Sequence, residues 1–302
     1  LGKGEIDSYT MEKAFIHKNG HTVYGMLNAT LIHDADGRPD YFLGSVQDIT
    51  QQKKAQEHLN KIEWLLEKEE ADTVGEKEEY TPPYGDVITL NTDRTILDAV
   101  GTDTIKVLSS DVMDLLDTSI AVYEKNGDYA YGQFDSGWCR MMDAASRKLC
   151  KTRSNKKALS CGKWLCHENC WNDSALKAIR TGKPTDIECV GGIHLYAEPI
   201  RAEGEVIGVI NMGYGNPPED EKTLRQLAEE FNVPYTELAE QAAAYKTRPL
   251  YIIEVAKNRL HNIARAIGQM VENTRTREQL DTQNQQLRAA EQELQAANQQ
   301  LE

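Results

Sequence analysis

All six cysteines of this 302-residue chain fall between Cys139 and Cys189: Cys139, Cys150, Cys161, Cys166, Cys170 and Cys189. Thiolate sulfur binds soft and borderline metals, and four such ligands close a tetrahedral site. The densest stretch reads Cys161-Gly-Lys-Trp-Leu-Cys166-His167-Glu-Asn-Cys170-Trp171. Spacing of i, i+4 puts Cys166 and Cys170 on one face of a helical turn, with His167 pointing elsewhere. Cys139 and Cys189 are distant in sequence, but each lies beside a sheet element, so folding could bring them to that pair. A C-x3-C with scattered partners is not the twin C-x2-C spacing of a zinc ribbon. Three chemistries therefore stay open: a zinc or iron–sulfur site, buried structural thiols, and reversible thiol redox. Trp138, Trp164 and Trp171 flank the cysteines, and core packing explains them better than a ligand box.

Composition narrows what surrounds this stretch. A net charge of −14 argues against nucleic-acid binding, which needs a basic surface to neutralise phosphates. The sequence contains no run of 18 apolar residues and no signal-like segment, and the expected setting is a reducing, cytoplasmic one. Opening on Leu1 and stopping inside a helical repeat at Leu301-Glu302, the sequence reads as a piece of a longer protein. No nucleophile–base pair or phosphate-cradling glycine loop is visible, so no enzyme activity is expected of it. His261 lacks the acidic and Arg-Thr-Pro context of a kinase phosphoacceptor and reads as a helix-surface histidine.

The elements that must position the cysteines follow from local patterns. Residues 11–49 alternate like an antiparallel sheet, with turns at Lys18-Asn19-Gly20 and Asp34-Ala-Asp-Gly37, and close on Asp48-Ile49-Thr50. Helix follows, with Ala55, Leu59, Ile62 and Leu66 in an a/d seam, then a Gly/Pro break at 72–90. Helical patterns resume over 95–116, with Asp93 and Asp111 as candidate N-caps. Strands are expected at 119–124 and 129–134 across Asn126-Gly127, and at 194–200 and 205–214 across Gly204. The cysteines then sit in a helical insert that splits one antiparallel sheet, which makes an α+β fold and not a parallel nucleotide-binding one. Pro217-Pro218, Pro234 and Pro249 each open a helix. Along the last, Leu280, Leu287, Leu294 and Leu301 recur every seven residues, with Asn284, Glu291 and Asn298 between them. Leucine at d with asparagine at a favours two parallel strands in register.

The order strand, Asn-Gly turn, strand, Asp-Gly turn, strand, Asp-Ile-Thr, helix resembles the C-terminal part of a PAS domain over about 45 residues. Residues 92–215 resemble the PocR sensory domain family, a PAS/GAF-like ligand-binding fold. The residues that carry this are Gly137-Trp138-Cys139-Arg140, Cys170-Trp-Asn-Asp173, Thr181-Gly-Lys-Pro184, Cys189-Val-Gly191-Gly-Ile193, Tyr196-Ala-Glu-Pro199-Ile200 and Gly208-Val-Ile210. Where the family commonly has His-x-Gly-Leu after its third cysteine, this chain has Val190-Gly191-Gly192-Ile193. Cys139, Cys170 and Cys189 match the family's cysteines; Cys150, Cys161 and Cys166 lie in an added insert.

The resemblance implies a pocket for a small hydrocarbon-type molecule, lined by Tyr129, Tyr131, Phe134, Trp138, Tyr196 and Met212. Alternation puts Tyr129 and Tyr131 on one face. Cys139, Cys166, Cys170 and Cys189 are the candidate metal ligands. The expected layout is a partial PAS sheet at 1–50, a helical connector at 51–75, a linker at 76–91, the PocR-like domain at 92–248 and a signalling helix at 249–302. It implies a sensing region that dimerises in parallel through its helices and feeds a histidine kinase or diguanylate cyclase module in the same chain. A thiol redox relay or thiol enzyme using Cys166 and Cys170 is the alternative, and a dimerisation scaffold a further one. The relay requires a cysteine whose pKa is lowered.

Overall fold

The computed structural model describes residues 8–72, 80–245 and 247–301, with side chains described outside 61, 64–72 and 298–301. The chain divides into two compact units, Leu1–Gly75 and Glu76–Glu302. Among the described residues no helix is long and apolar enough to cross a membrane.

The first unit is a three-stranded antiparallel sheet, β1 (Ser8–Ile16), β2 (Thr22–His33) and β3 (Pro39–Asp48), followed by α1 (Thr50–Asp72). Gly20 and Gly37 close its hairpins with φ of 84° and 78°, a left-handed conformation that glycine adopts without steric cost. The Asp48-Ile49-Thr50 triplet pins the helix to the sheet. Thr50 N donates to Asp48 Oδ1 at 2.8 Å, and the Thr50 hydroxyl accepts from Tyr24 N at 2.9 Å. Ala55, Leu59 and Ile62 of the expected seam are exposed, while the Leu66 side chain lies outside the described residues. Residues 73–79, at the end of the connector and the start of the linker, also lie outside them.

The second unit begins with a 3₁₀ turn at Ile88–Leu90, then α2 (Thr95–Val100) and α3 (Thr102–Leu116). Strands β4 (Ser119–Glu124) and β5 (Tyr129–Phe134) precede the cysteine-bearing helices α4 (Gly137–Leu149), α5 (Asn155–Leu159) and α6 (Leu165–Glu168). A π-helical turn at Asn169–Ala175 leads into α7 (Leu176–Thr181). Then come β6 (Thr185–Glu188), β7 (His194–Ala202), β8 (Glu205–Tyr214), α8 (Glu221–Phe231), α9 (Tyr235–Ala244) and α10 (Leu250–Leu301). The five strands form one antiparallel sheet in the order β5-β4-β8-β7-β6, so the fold is α+β, as the patterning implied. The short strand β6, which the sequence did not suggest, completes the edge.

Helix starts differ from the sequence reading. Asp111 lies within α3, and the caps of α2 and α3 are Arg94 and Gly101. The first turn of α2 is satisfied instead by the buried Glu124, whose carboxylate accepts from Ile96 N at 2.9 Å and Leu97 N at 3.0 Å. A carboxylate at a helix start meets both free amides and the positive end of the macrodipole.

Each face of the sheet is covered. Helix α10 crosses β7 and β8 with α2 and α3 beside it, while α4, the π turn and α7 cover the other face. Ile252, Ile253, Ala256, Leu260, Ile263, Ala264, Ile267 and Val271 recur at helical spacing and are buried, so the first half of α10 is part of this core. Beyond it the helix is exposed, Leu280, Leu287 and Leu294 included.

Candidate functional site

The core between the sheet and the cysteine-bearing helices holds a cavity of about 60 Å³. Four cysteines from separate elements line it: Cys139 from the first turn of α4, Cys166 from α6, Cys170 from the π turn and Cys189 from the β6–β7 connection. Ser136 caps α4 and accepts from Cys139 N, which fixes the start of that helix. Trp138 is buried and donates from Nε1 to Gly191 O at 3.1 Å, tying α4 to the connection that carries Cys189. That connection is a tight turn, in which Gly192 N donates to Cys189 O at 2.8 Å. Gly192 has φ of 78°, and a Cβ there would meet Pro218 Cγ at 2.5 Å. Cys189 Sγ accepts from Gly191 N at 3.3 Å, and Asn169 Oδ1 of the π turn accepts from Val190 N at 3.0 Å.

The thiols keep some accessible surface because it faces the cavity. Burial dominates their electrostatics and raises the pKa of all four, that of Cys189 to about 12. Desolvation disfavours the thiolate. The lowered pKa that a thiol relay at Cys166 and Cys170 requires is therefore not what this environment produces.

The other wall is aromatic. Tyr129, Phe134 and Trp138 line the cavity together with Tyr123, Met142 and Ile193. His167 is there too, not pointing elsewhere, because α6 is embedded and two adjacent positions both face the interior. Tyr123 donates to Tyr129 at 3.1 Å, and the Tyr129 hydroxyl lies 3.0 Å from His167 Nδ1. Burial pushes His167 down to about 4, so the imidazole is neutral at pH 7. Asp143, also on the wall, accepts from Tyr84 at 2.5 Å and from Trp164 Nε1 at 2.8 Å, and burial pushes it up to about 6. Asn211 Nδ2 is buried and has no partner among the described residues, a donor held in the cavity wall. A second hollow of about 150 Å³ shares Tyr129 and Phe134 with the first.

Three expected ligand residues are not among those lining the cavity. A register shift opposite Val122 and Tyr123 pairs Tyr123 with Tyr129 and Val122 with Tyr131. This bulge breaks the alternation, so Tyr129 and Tyr131 do not share a face. Tyr196 and Met212 pair with each other across β7 and β8, one register step from Asn211 and Gly213, which line the cavity. Lys257 of α10 lies over the Tyr196 ring at 5.3 Å, on the other side of the sheet. His261 is half-exposed and sits 2.9 Å from the buried Glu198.

Among the described residues no three His, Cys, Asp or Glu side chains are placed to cage a single ion. The four sulfurs share one cavity without closing to the spacing that one metal ion, with bonds of about 2.3 Å, would impose.

An antiparallel five-stranded sheet with helices on both faces and a cavity between sheet and insert is the build of a sensor-type α+β domain. The family model for the sensory domain found in PocR matches residues 98–274, more than half of the chain, and the chain belongs to that family. The match runs on into α10, as the buried first half of that helix requires. A stretch of 57 residues is 37% identical to the probable diguanylate cyclase DgcE of Escherichia coli K12. It covers 19% of this chain and only 5% of that protein. The C-terminal domain of the Escherichia coli transcriptional regulator KdgR aligns over 49% of this chain and 98% of its own, at 10% identity and a TM-score of 0.21. At that score it carries no argument about the fold.

Proposed function

We propose that the chain is the sensing part of a multidomain signalling protein, and that its sensing site is the four-cysteine cavity. The observation that carries this reading is the convergence of Cys139, Cys166, Cys170 and Cys189 on one cavity. Four thiols around one cavity, with no three of them placed to cage a single ion among the described residues, suit a polynuclear iron–sulfur cluster better than a single zinc, because a cluster separates its ligands. Such a cluster supplies one-electron redox chemistry. The chain would hold it through the four thiolates, with Asn211 Nδ2 as a donor toward it. The cluster's positive charge would offset the desolvation that otherwise keeps the thiols protonated. Iron, sulfide and visible absorption measured on anaerobically purified protein test this. Cys166→Ser and Cys170→Ser should each lose all three signals. Metal-free protein whose six thiols titrate freely in the folded state overturns it.

A second reading has its own support. The thiols are neutral, and neutral thiols behave as small apolar groups, so the cavity as it stands suits a small, weakly polar molecule with one hydrogen-bond acceptor for Asn211. Thermal shifts with short alcohols and diols separate the two readings, since a true ligand stabilises by mass action. In either case the signal leaves through α10, whose first half packs on the sheet. Its exposed Leu280, Leu287 and Leu294 are the seam for a second copy of the chain, in parallel. A downstream kinase or cyclase module is the output this arrangement serves.

A further inference from the structure

The two cysteines outside the cavity are next to each other. Cys150 follows the last turn of α4 and Cys161 follows α5, and their sulfurs are 2.8 Å apart, closer than non-bonded sulfur atoms pack. The loop between them is held in place. Arg147 is buried and donates to Thr152 O at 2.9 Å and to Asn155 Oδ1 at 2.8 Å, while Asn155 Nδ2 donates to Tyr84 O at 2.8 Å. Both thiols are part-exposed, so a solution reagent can reach them.

The second observation is charge. Residues 147–163 contain seven Lys and Arg and no Asp or Glu, in a chain of net charge −14. Lys148, Lys151, Arg153, Lys156, Lys157 and Lys163 are exposed, and among the described residues none pairs with a carboxylate. Unpaired cations along the loop that carries both sulfurs concentrate anionic reagents near them.

We propose that Cys150 and Cys161 are a reversible disulfide site that exchanges with an anionic low-molecular-weight disulfide. Burial and the neighbouring thiol push Cys150 up to about 12, so Cys161 makes the first attack. The Cys161 thiolate bonds to one sulfur of the reagent, the reagent's S–S bond breaks, and one thiolate leaves and takes a proton from solvent. Cys150 then gives up its proton and attacks the Cys161 sulfur, releasing the second thiol. The two cysteines lose two electrons together, and the disulfide becomes two thiols. The closed bond would staple the end of α4 to the segment that leads into α6, two elements that carry cavity cysteines. It needs sulfurs about 2.05 Å apart, a short approach from where they stand. This inference does not rest on what fills the cavity.

The test is to treat the chain anaerobically with glutathione disulfide at low ionic strength, alkylate, digest and map the peptides. The expected result is a Cys150–Cys161 cross-link with the four cavity cysteines alkylated or protected but not cross-linked. Cys150→Ser should trap a stable mixed disulfide on Cys161, and Cys161→Ser should form no cross-link. Cystamine, a cationic disulfide, should react about tenfold more slowly, and high salt should erase the difference by shortening the Debye length to about 3 Å. Single capping of each thiol without a cross-link overturns the disulfide, and equal rates with the two reagents overturn the role of the basic loop.

Discussion

Helix α10 lies tight against the Arg201 backbone of the sheet at Gly268, and Gly268→Ala tests whether that contact holds the helix in place. A Cβ at this position would lie 1.8 Å from the Arg201 carbonyl oxygen and 2.9 Å from its carbon. Both atoms are backbone, so no side chain can swing aside, and helix and strand must separate by more than about 1 Å. A gap of that size forfeits roughly a quarter to a half of each neighbouring dispersion contact, and Ala264, Ile267 and Val271 are buried at the same seam. Overpacking of this kind costs about 3 kcal/mol, toward the upper end of its range. Replacing glycine inside a helix returns about 1 kcal/mol of propensity. The expected net loss is about 2 kcal/mol, or a fall in Tm of roughly 4–8 °C for a unit of this size. Urea unfolding of the whole chain, followed by circular dichroism, measures it. Asn284→Ala on the exposed half of the same helix is the control and should stabilise by a few tenths of a kcal/mol. A Gly268→Ala protein as stable as the parent would show that α10 is not held at this crossing.

Other consequences concern the cavity wall. Asp143 has a raised pKa, about 6, so the folded state holds its proton more tightly than the unfolded one. Its contribution is full below about pH 4 and is lost by pH 6, a change of about 3 kcal/mol. His167 is depressed to about 4, and its contribution is full above about pH 6.5 and is lost as pH falls toward 4, by a similar amount. The two nearly cancel, so stability of the parent should be flat from pH 4 to 6.5; His167→Gln should fall with rising pH and Asp143→Asn should rise. Denaturant midpoints across that range check this, and parallel profiles for the two variants would contradict it. Trp138→Phe leaves the buried Gly191 carbonyl without its donor and should cost about 1–3 kcal/mol, read by thermal unfolding. Leu287→Asp should lower the dimer fraction in sedimentation while leaving Tm within about 1 °C, because the side chain is 63% exposed.

How much of this was legible in the sequence varied with the physics of each element. The hairpins at Gly20, Gly37 and Gly127 were readable because positive φ demands glycine there. Of the four cysteines that line the cavity, Cys139, Cys170 and Cys189 stood out by their resemblance to a family, and Cys166 by its i, i+4 spacing from Cys170. The facing of the strands was not. Strand β8 is buried along both faces over Ile207–Tyr214, so alternation carries no signal, and Met212 was placed on the wrong side. Asn211, a polar residue in that buried run, was the available sign of which face meets the cavity. The bulge that separates Tyr129 from Tyr131 has no sequence mark, since Ala130 is compatible with any strand geometry. His167 was misplaced because helical spacing says which residues share a face, not how deeply a helix is embedded. Strand β6, at four residues, is too short for any period to show.

The crossing at Gly268 also sets a scale for output. From there to Leu301 the helix runs 33 residues, about 50 Å at 1.5 Å per residue. A tilt of about 2° around that fixed point displaces the last turn by about 1.7 Å, roughly the size of the helix shifts that interfaces convert into a switch. A sub-ångström rearrangement of the sheet under α10 is therefore enough, by geometry alone, to deliver a readable displacement at the far end.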